Sequence, residues 1–97
     1  MTVDQVRKEL KDVKIFYSRK DFISNFVDND VIARIKENVQ KYDTLILYAP
    51  EKLFNLYVAL YRESLKQFSY SKKTGFSENY VQKLHKELIE YFCDKMK

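Results

Sequence analysis

Glycine and proline occur once each in this 97-residue chain, cysteine once, and tryptophan not at all. Each scarcity excludes something. A β-sandwich or barrel needs turn residues every eight to twelve positions, so one Gly and one Pro argue against both folds. The single Gly also excludes the phosphate-binding P-loop and the dinucleotide fingerprint, which need several. One Cys makes no internal disulfide, and one Cys with one His makes no zinc cluster. No apolar run approaches the roughly 20 residues that span a bilayer, so no membrane contact is expected. The opening Met1-Thr2-Val3-Asp4 lacks a basic region and a continuous apolar stretch. No signal peptide is expected from it, and the cytoplasm is the expected location.

What is abundant points to helices. Hydrophobic residues make up 45% of the chain and aromatics 15%, too apolar for disorder despite 33% charge. Thr2 with Gln5 reads as a capping box, and Val3, Val6, Leu10 and Val13 recur at helical spacing. These predict an amphipathic helix from residue 3 to the mid-twenties, with Arg7 and Lys8 spaced to pair with Asp4 and Asp12. Asp28-Asn29-Asp30 favours a cap or turn. Ile32, Ile35, Val39, Tyr42 and Ile46 predict a second helix over 31–47. Ala49-Pro50 is a break, because Pro disfavours helix before it and fits the first turn after it. Leu53, Leu56, Tyr57, Leu60 and Tyr61 then predict a third helix to residue 63. Ser64 is placed to cap a short fourth helix over 65–73, ended by Thr74-Gly75 with the glycine left-handed. Ser77 caps a last helix with Tyr80, Val81, Leu84, Leu88 and Phe92 inward. The expected fold is a single all-α domain of about five helices over residues 1–97. Residues 1–49 form its N-terminal helical part and 50–97 a part with a C-terminal helix-turn-helix.

The net charge of +4 is unevenly placed. Residues 64–86 hold Lys66, Lys72, Lys73, Lys83 and Lys86 against Glu78 alone. A local basic excess is the footprint of a phosphate-contacting surface, although a solvated lysine face has the same composition. The same window has helix-turn-helix proportions. Ser71 is the small residue where the second helix crosses, Gly75 follows four later, and Val81 follows to seat the recognition helix. With Tyr80, Val81 and Leu84 inward, helical geometry turns Glu78, Asn79, Gln82, Lys83 and Lys86 outward. Asn and Gln pair with adenine, Lys reaches guanine or phosphate, and Glu accepts from cytosine. Lys72 and Lys73 would lie beside the phosphate backbone, and the N–H groups starting at Ser77 would receive a phosphate. Two ordinary packed helices with a polar face give the same spacing.

Leu56-Tyr57-Val58-Ala59-Leu60-Tyr61, followed by Gly75-Phe76-Ser77-Glu78-Asn79-Tyr80-Val81-Gln82-Lys83-Leu84-His85, resembles a group of short regulators. These are the sigma-70 region 4-like proteins of Firmicutes phages and prophages, of the ArpU and RinA types. There an "L-Y-x-x-L-Y" helix precedes "Q-x-x-L-A-x-x-x-G-Y-S-x-x-Y-V-Q-x-L-H". Phe16-Tyr17-Ser18-Arg19-Lys20 is similar to their N-terminal "Y-Y-S-R-K". The likeness is strongest over residues 53–92. It departs from the pattern at Tyr70-Ser71, in place of Leu-Ala, and at Thr74, in place of Leu. The resemblance implies duplex DNA binding in transcription control, with an RNA polymerase contact as a further implication.

No catalytic constellation is visible, so neither an enzyme nor a cofactor is expected. His85 and Cys93 are about 12 Å apart along a helix, too far for a nucleophile pair. Cys93 reads as a small apolar residue, and His85 as core-edge or phosphate-facing. Most aromatics, including Phe16, Phe22, Phe26, Tyr42, Phe54, Tyr57, Tyr61, Tyr80 and Phe92, sit at stripe positions and read as core; Phe76 is the exception. The expected function is that of a small DNA-binding regulator, with Lys72, Lys73 and Lys86 on phosphates and Glu78, Asn79, Gln82 and Lys83 reading bases. Two alternatives stay open: a recombination directionality factor that contacts a recombinase, and a protein adaptor without DNA readout. The stripe Val3, Val6, Leu10 and Val13 is also open, as a homodimer seam or as internal core.

Overall fold

The computed structural model describes residues 1–19 and 29–97, and among these the chain is all-α, with five helical segments and no strand. They are α1 (Val3–Ser18), α2 (Asn29–Ile46), α3 (Glu51–Tyr57, running straight into a π-helical segment Val58–Arg62), α4 (Gln67–Thr74) and α5 (Glu78–Lys95). α1 packs on α2, on the π segment and on α5, while α4 packs on α5.

The helix starts follow local chemistry. The Thr2 N–H donates to Gln5 Oε1 at 2.9 Å and the Gln5 N–H donates to Thr2 Oγ1 at 3.2 Å, a complete capping box. Pro50 stands at the N-cap of α3, where its missing N–H costs nothing. α1 stops earlier than its stripe predicts. Ser18 Oγ donates back to the Lys14 carbonyl, and Arg19 leaves helical geometry. The rest of that expected span, with Phe22, Phe26 and Asp28, lies outside the described residues. Ser64 is also not the cap of α4: Lys66 holds that position with no side-chain bond. Ser64 instead takes φ 57°, ending the π segment, where the Leu65 N–H reaches back to the Ala59 carbonyl. A non-glycine residue there carries a conformational penalty of about 1–2 kcal/mol.

One apolar cluster joins all five segments. Val6, Leu10 and Val13 of α1 meet Ile35, Val39, Tyr42 and Ile46 of α2. Leu53, Leu56, Tyr57, Ala59 and Leu60 then close on Val81, Leu84, Leu88, Ile89 and Phe92 of α5, with Tyr70 of α4 against them. Of the α1 stripe only Val3 is exposed, at 44%. The stripe is therefore internal core, and a homodimer would need another surface.

Polar pairs fix how α1 lies on α2. Glu9 Oε1 accepts from Lys41 Nζ at 2.7 Å and from the Tyr42 hydroxyl at 2.8 Å. Asp12 accepts from Asn38 Nδ2 at 2.9 Å and pairs with Arg34, rather than with Arg7 or Lys8 along its own helix. The densest junction is at Asp43. Its carboxylate accepts from the hydroxyls of Tyr17 and Tyr57, the latter at 2.7 Å, and pairs with the Arg62 guanidinium at 3.2 Å. The Arg62 guanidinium lies 5.6–6.0 Å from the ring centres of Tyr17, Phe54 and Tyr57. Burial, reinforced by the Asp43 carboxylate, pushes both tyrosine hydroxyls above their ordinary pKa, so they stay donors.

This junction predicts a graded mutational series. Asp43→Ala should lower unfolding free energy by roughly 2–4 kcal/mol, because it leaves Arg62 and two hydroxyls without their shared acceptor. Tyr17→Phe should cost about 1 kcal/mol, the size of the hydroxyl's bond to Asp43. Urea denaturation of the three proteins checks the order, and equal losses would contradict it.

Candidate functional site

The predicted surface lies on α4, on the turn after it and on the first half of α5. α4 ends with Lys72 and Lys73 in its last turn, where cations complement the exposed carbonyls. Gly75 follows at φ 80°, left-handed as its spacing predicts, and its N–H donates to the Ser71 carbonyl at 2.9 Å. Three further bonds close the turn. Ser71 Oγ donates to the Phe76 carbonyl. Thr74 Oγ1 donates to the Tyr70 carbonyl at 2.8 Å and accepts from the Phe76 N–H at 3.2 Å. Ser77 then caps α5, its hydroxyl accepting from the Tyr80 N–H at 3.1 Å. Ser71 and Thr74 are two of the positions at which the chain departs from the pattern it resembles. Their hydroxyls do here what apolar side chains cannot, by satisfying backbone groups of the turn.

Val81 is fully buried and seats α5 on the core, with Leu84 and Leu88 behind it. Tyr80 departs from expectation: it is 39% exposed and not part of the core. It lies in the first turn, one position before Val81, beyond the edge of the apolar cluster. Its ring stands edge-on to Phe76, centres 5.0 Å apart, and Phe76 is itself exposed. The two make an aromatic step on the outside of the turn.

Lys72, Lys73, Ser77, Glu78, Asn79, Gln82, Lys83 and Lys86 are all solvent-exposed. Asn79 is three and four residues before Gln82 and Lys83, and Lys86 is four and three after them, which places all four along one face of α5. Lys73 has a long ion pair with Glu63 at 3.9 Å, and Lys72 lies over the Phe68 ring at 5.2 Å. Lys83 and Lys86 make no ion pair among the described residues. A 3.9 Å pair between exposed groups holds its lysine weakly, so this face retains its positive charge for an external anion.

His85 is half-buried behind the face. Its Nε2 is 2.6 Å from the Tyr61 hydroxyl, and the two rings stack. Burial first, and the Arg7 charge second, hold the imidazole below its ordinary 6.5. Burial pushes the Tyr61 hydroxyl up to about 12, so Tyr61 donates and a neutral His85 accepts. Cys93 is half-buried and packs against the core. No group of three His, Cys, Asp or Glu residues among those described is placed to hold a metal ion. No described helix is long and apolar enough to cross a membrane.

Sequence reasoning overlooked the turn-closing hydroxyls. A hydroxyl four residues before a turn glycine, with a second immediately before that glycine, is the signal that could have found them. Arg7, near His85 through the fold alone, had no such signal. No protein-family model matches the chain, nor does any curated protein or solved structure.

Gly75 offers a test free of packing effects. A Cβ built there meets nothing within 4 Å, so a side chain costs only backbone strain. Gly75→Val should destabilise by about 1–2 kcal/mol, and Gly75→Asn should recover most of that, because Asn tolerates left-handed geometry. Thermal melts of both variants check it; an unchanged valine variant would contradict the strain. His85 predicts a pH effect. Below its ordinary pKa the unfolded chain binds a proton that the folded state resists. Stability should be complete above pH 6.5 and fall as the pH drops from 6.5 toward the depressed folded value. His85→Gln, which keeps an acceptor for Tyr61, should remove that part of the slope in urea titrations at stepped pH.

Proposed function

We propose that this chain binds duplex DNA through the turn and outer face of α5, as a small transcriptional regulator of the sigma-70 region 4-like, phage-derived kind. The observation that carries the reading is the conjunction at Gly75–Lys86. A left-handed, hydroxyl-closed turn leads into a helix seated by Val81, and every polar residue of the opposite face is free to meet a ligand. A helix held by one apolar edge, with Asn, Gln and Lys on the other, has the residue types that read the major groove. Lys72 and Lys73 flank it from α4, and the Ser77-capped start of α5 presents backbone N–H groups to a phosphate. Asn79 and Gln82 read bases in this account, Glu78 and Lys83 assist them, and Lys72, Lys73 and Lys86 neutralise phosphates. The reading assigns no reaction and no cofactor to the chain.

One observation favours a protein partner beside DNA. Phe76 and Tyr80 form an exposed aromatic step next to the same face, a surface suited to an RNA polymerase or recombinase contact. In that case the helix would bind protein, and duplex affinity would be weak and unselective.

Selection of bound sequences from a random duplex pool, followed by fluorescence anisotropy, tests the proposal. Ala at Lys72, Lys73 and Lys86 should weaken binding to all duplexes alike and flatten the salt dependence. Ala at Asn79 or Gln82 should cost roughly 1–3 kcal/mol on the selected site and little on other sequences. Affinity unmoved by all five changes would place the binding surface elsewhere.

A further inference from the structure

A cleft of about 490 Å³ opens beside the outer face of α5, lined by α1, the start of α4 and α5. Its charged lining is Arg7, Lys86 and Glu90, and its other polar groups are Gln67, Gln82 and His85. Arg7 and Lys86 come from opposite ends of the sequence and face one space. Neither has an ion pair among the described residues, not even with Glu90 at the same wall. Two unpaired cations converging on one cleft repel each other, and the arrangement is relieved when an anion sits between them. The two glutamine amides add neutral N–H donors. An oxyanion with several acceptor oxygens uses donors of both kinds; a monodentate halide does not.

We propose that this cleft is a phosphate-binding site, in which Arg7 and Lys86 supply the charge and Gln67 and Gln82 supply neutral hydrogen bonds. Gln82 and Lys86 also belong to the face assigned to DNA. The natural source of the phosphate is therefore the duplex backbone, and this assignment of the source rests on the DNA-binding reading. Arg7 then extends the interface from α5 onto α1, at a position no helix-turn-helix spacing would indicate. A free phosphate ester carries the same chemistry and is the other source.

The chain's only histidine is a built-in reporter. His85 lines the cleft with Arg7 of α1, Gln67 of α4, and Lys86 and Glu90 of α5, and it also lines a neighbouring pocket with Lys14 of α1, Tyr61 of the π segment and Lys66 before α4. A phosphate bound above it offsets the nearby positive charge and favours the imidazolium. The test follows the His85 ring resonances by NMR through a pH titration, with inorganic phosphate added and, separately, with a DNA duplex. Phosphate should shift the ring signals saturably and raise the midpoint, and Arg7→Gln, checked for an unchanged circular dichroism spectrum, should abolish both effects. If the duplex is the source, Arg7→Gln should also reduce the slope of log affinity against log salt by about 0.9, the value for one lost phosphate contact. A response to inorganic phosphate without any effect of Arg7→Gln on duplex binding assigns the site to a free phosphate ester. No ring response to phosphate or duplex overturns the site. Loss of the DNA reading is detected separately, by duplex affinity that ignores the changes at Lys72 and Lys73 while the phosphate titration still responds.

Discussion

The Asp43 carboxylate is the point on which the arrangement of the N-terminal three helices depends. It sits on α2, takes hydrogen bonds from Tyr17 of α1 and Tyr57 of α3, and forms an ion pair with Arg62 of the π segment. Apolar burial alone would let those helices slide, since leucine and valine contacts are non-directional. A carboxylate with three partners is directional, and each hydroxyl reaches it from only one place. Arg62 adds a second constraint, because three aromatic rings surround its guanidinium. Its Nε and the Ser64 hydroxyl are left without hydrogen-bond partners among the described residues. The junction is thus tightly specified at some cost, as charge networks taken partly out of water commonly are.

Fixing α1 on α2 has consequences at the far side. α1 contacts both the π segment and α5, so its position sets where Arg7 stands relative to α5. The face assigned to DNA is built from short-range features of α4 and α5. The cleft beside it requires the whole N-terminal half to be in place. Local turn chemistry and global packing therefore contribute to neighbouring parts of one surface.

Features set within a few residues were legible in the sequence. The Thr2–Gln5 capping box, the Pro50 break, the left-handed Gly75 and the Ser77 cap all follow from local rules, and all stand in the structure. The apolar stripes of α2 and α3 were equally plain. Features set by contacts distant in sequence were not. Tyr17 and Tyr57 look like apolar stripe members, and only the fold reveals that their hydroxyls converge on Asp43. Tyr80 stands four residues before Leu84, but it lies at the rim of the buried arc that Val81, Leu88 and Phe92 centre. Ser64 has the composition of a cap; the wider turn preceding it placed it in the left-handed region instead. For the site, outward residues of α5 were predictable from helical phase, and all eight named positions are exposed. Ser71 is legible in the sequence as the small residue of the motif and Thr74 as a departure from a pattern, but the bonds of their hydroxyls are to backbone atoms that no sequence displays.

The π segment Val58–Arg62 has a consequence for the chain's length. A π turn is an α-helix carrying one extra residue, accommodated by widening the backbone. Were the segment to relax to ordinary helix with all its residues kept, everything downstream would turn by about 100°, one residue's rotation in a helix of 3.6 per turn. Arg62 would swing off Asp43, and α4 would leave the helix pair from a different side. The widened turn thus absorbs the surplus residue and holds the phase between the two halves of the molecule.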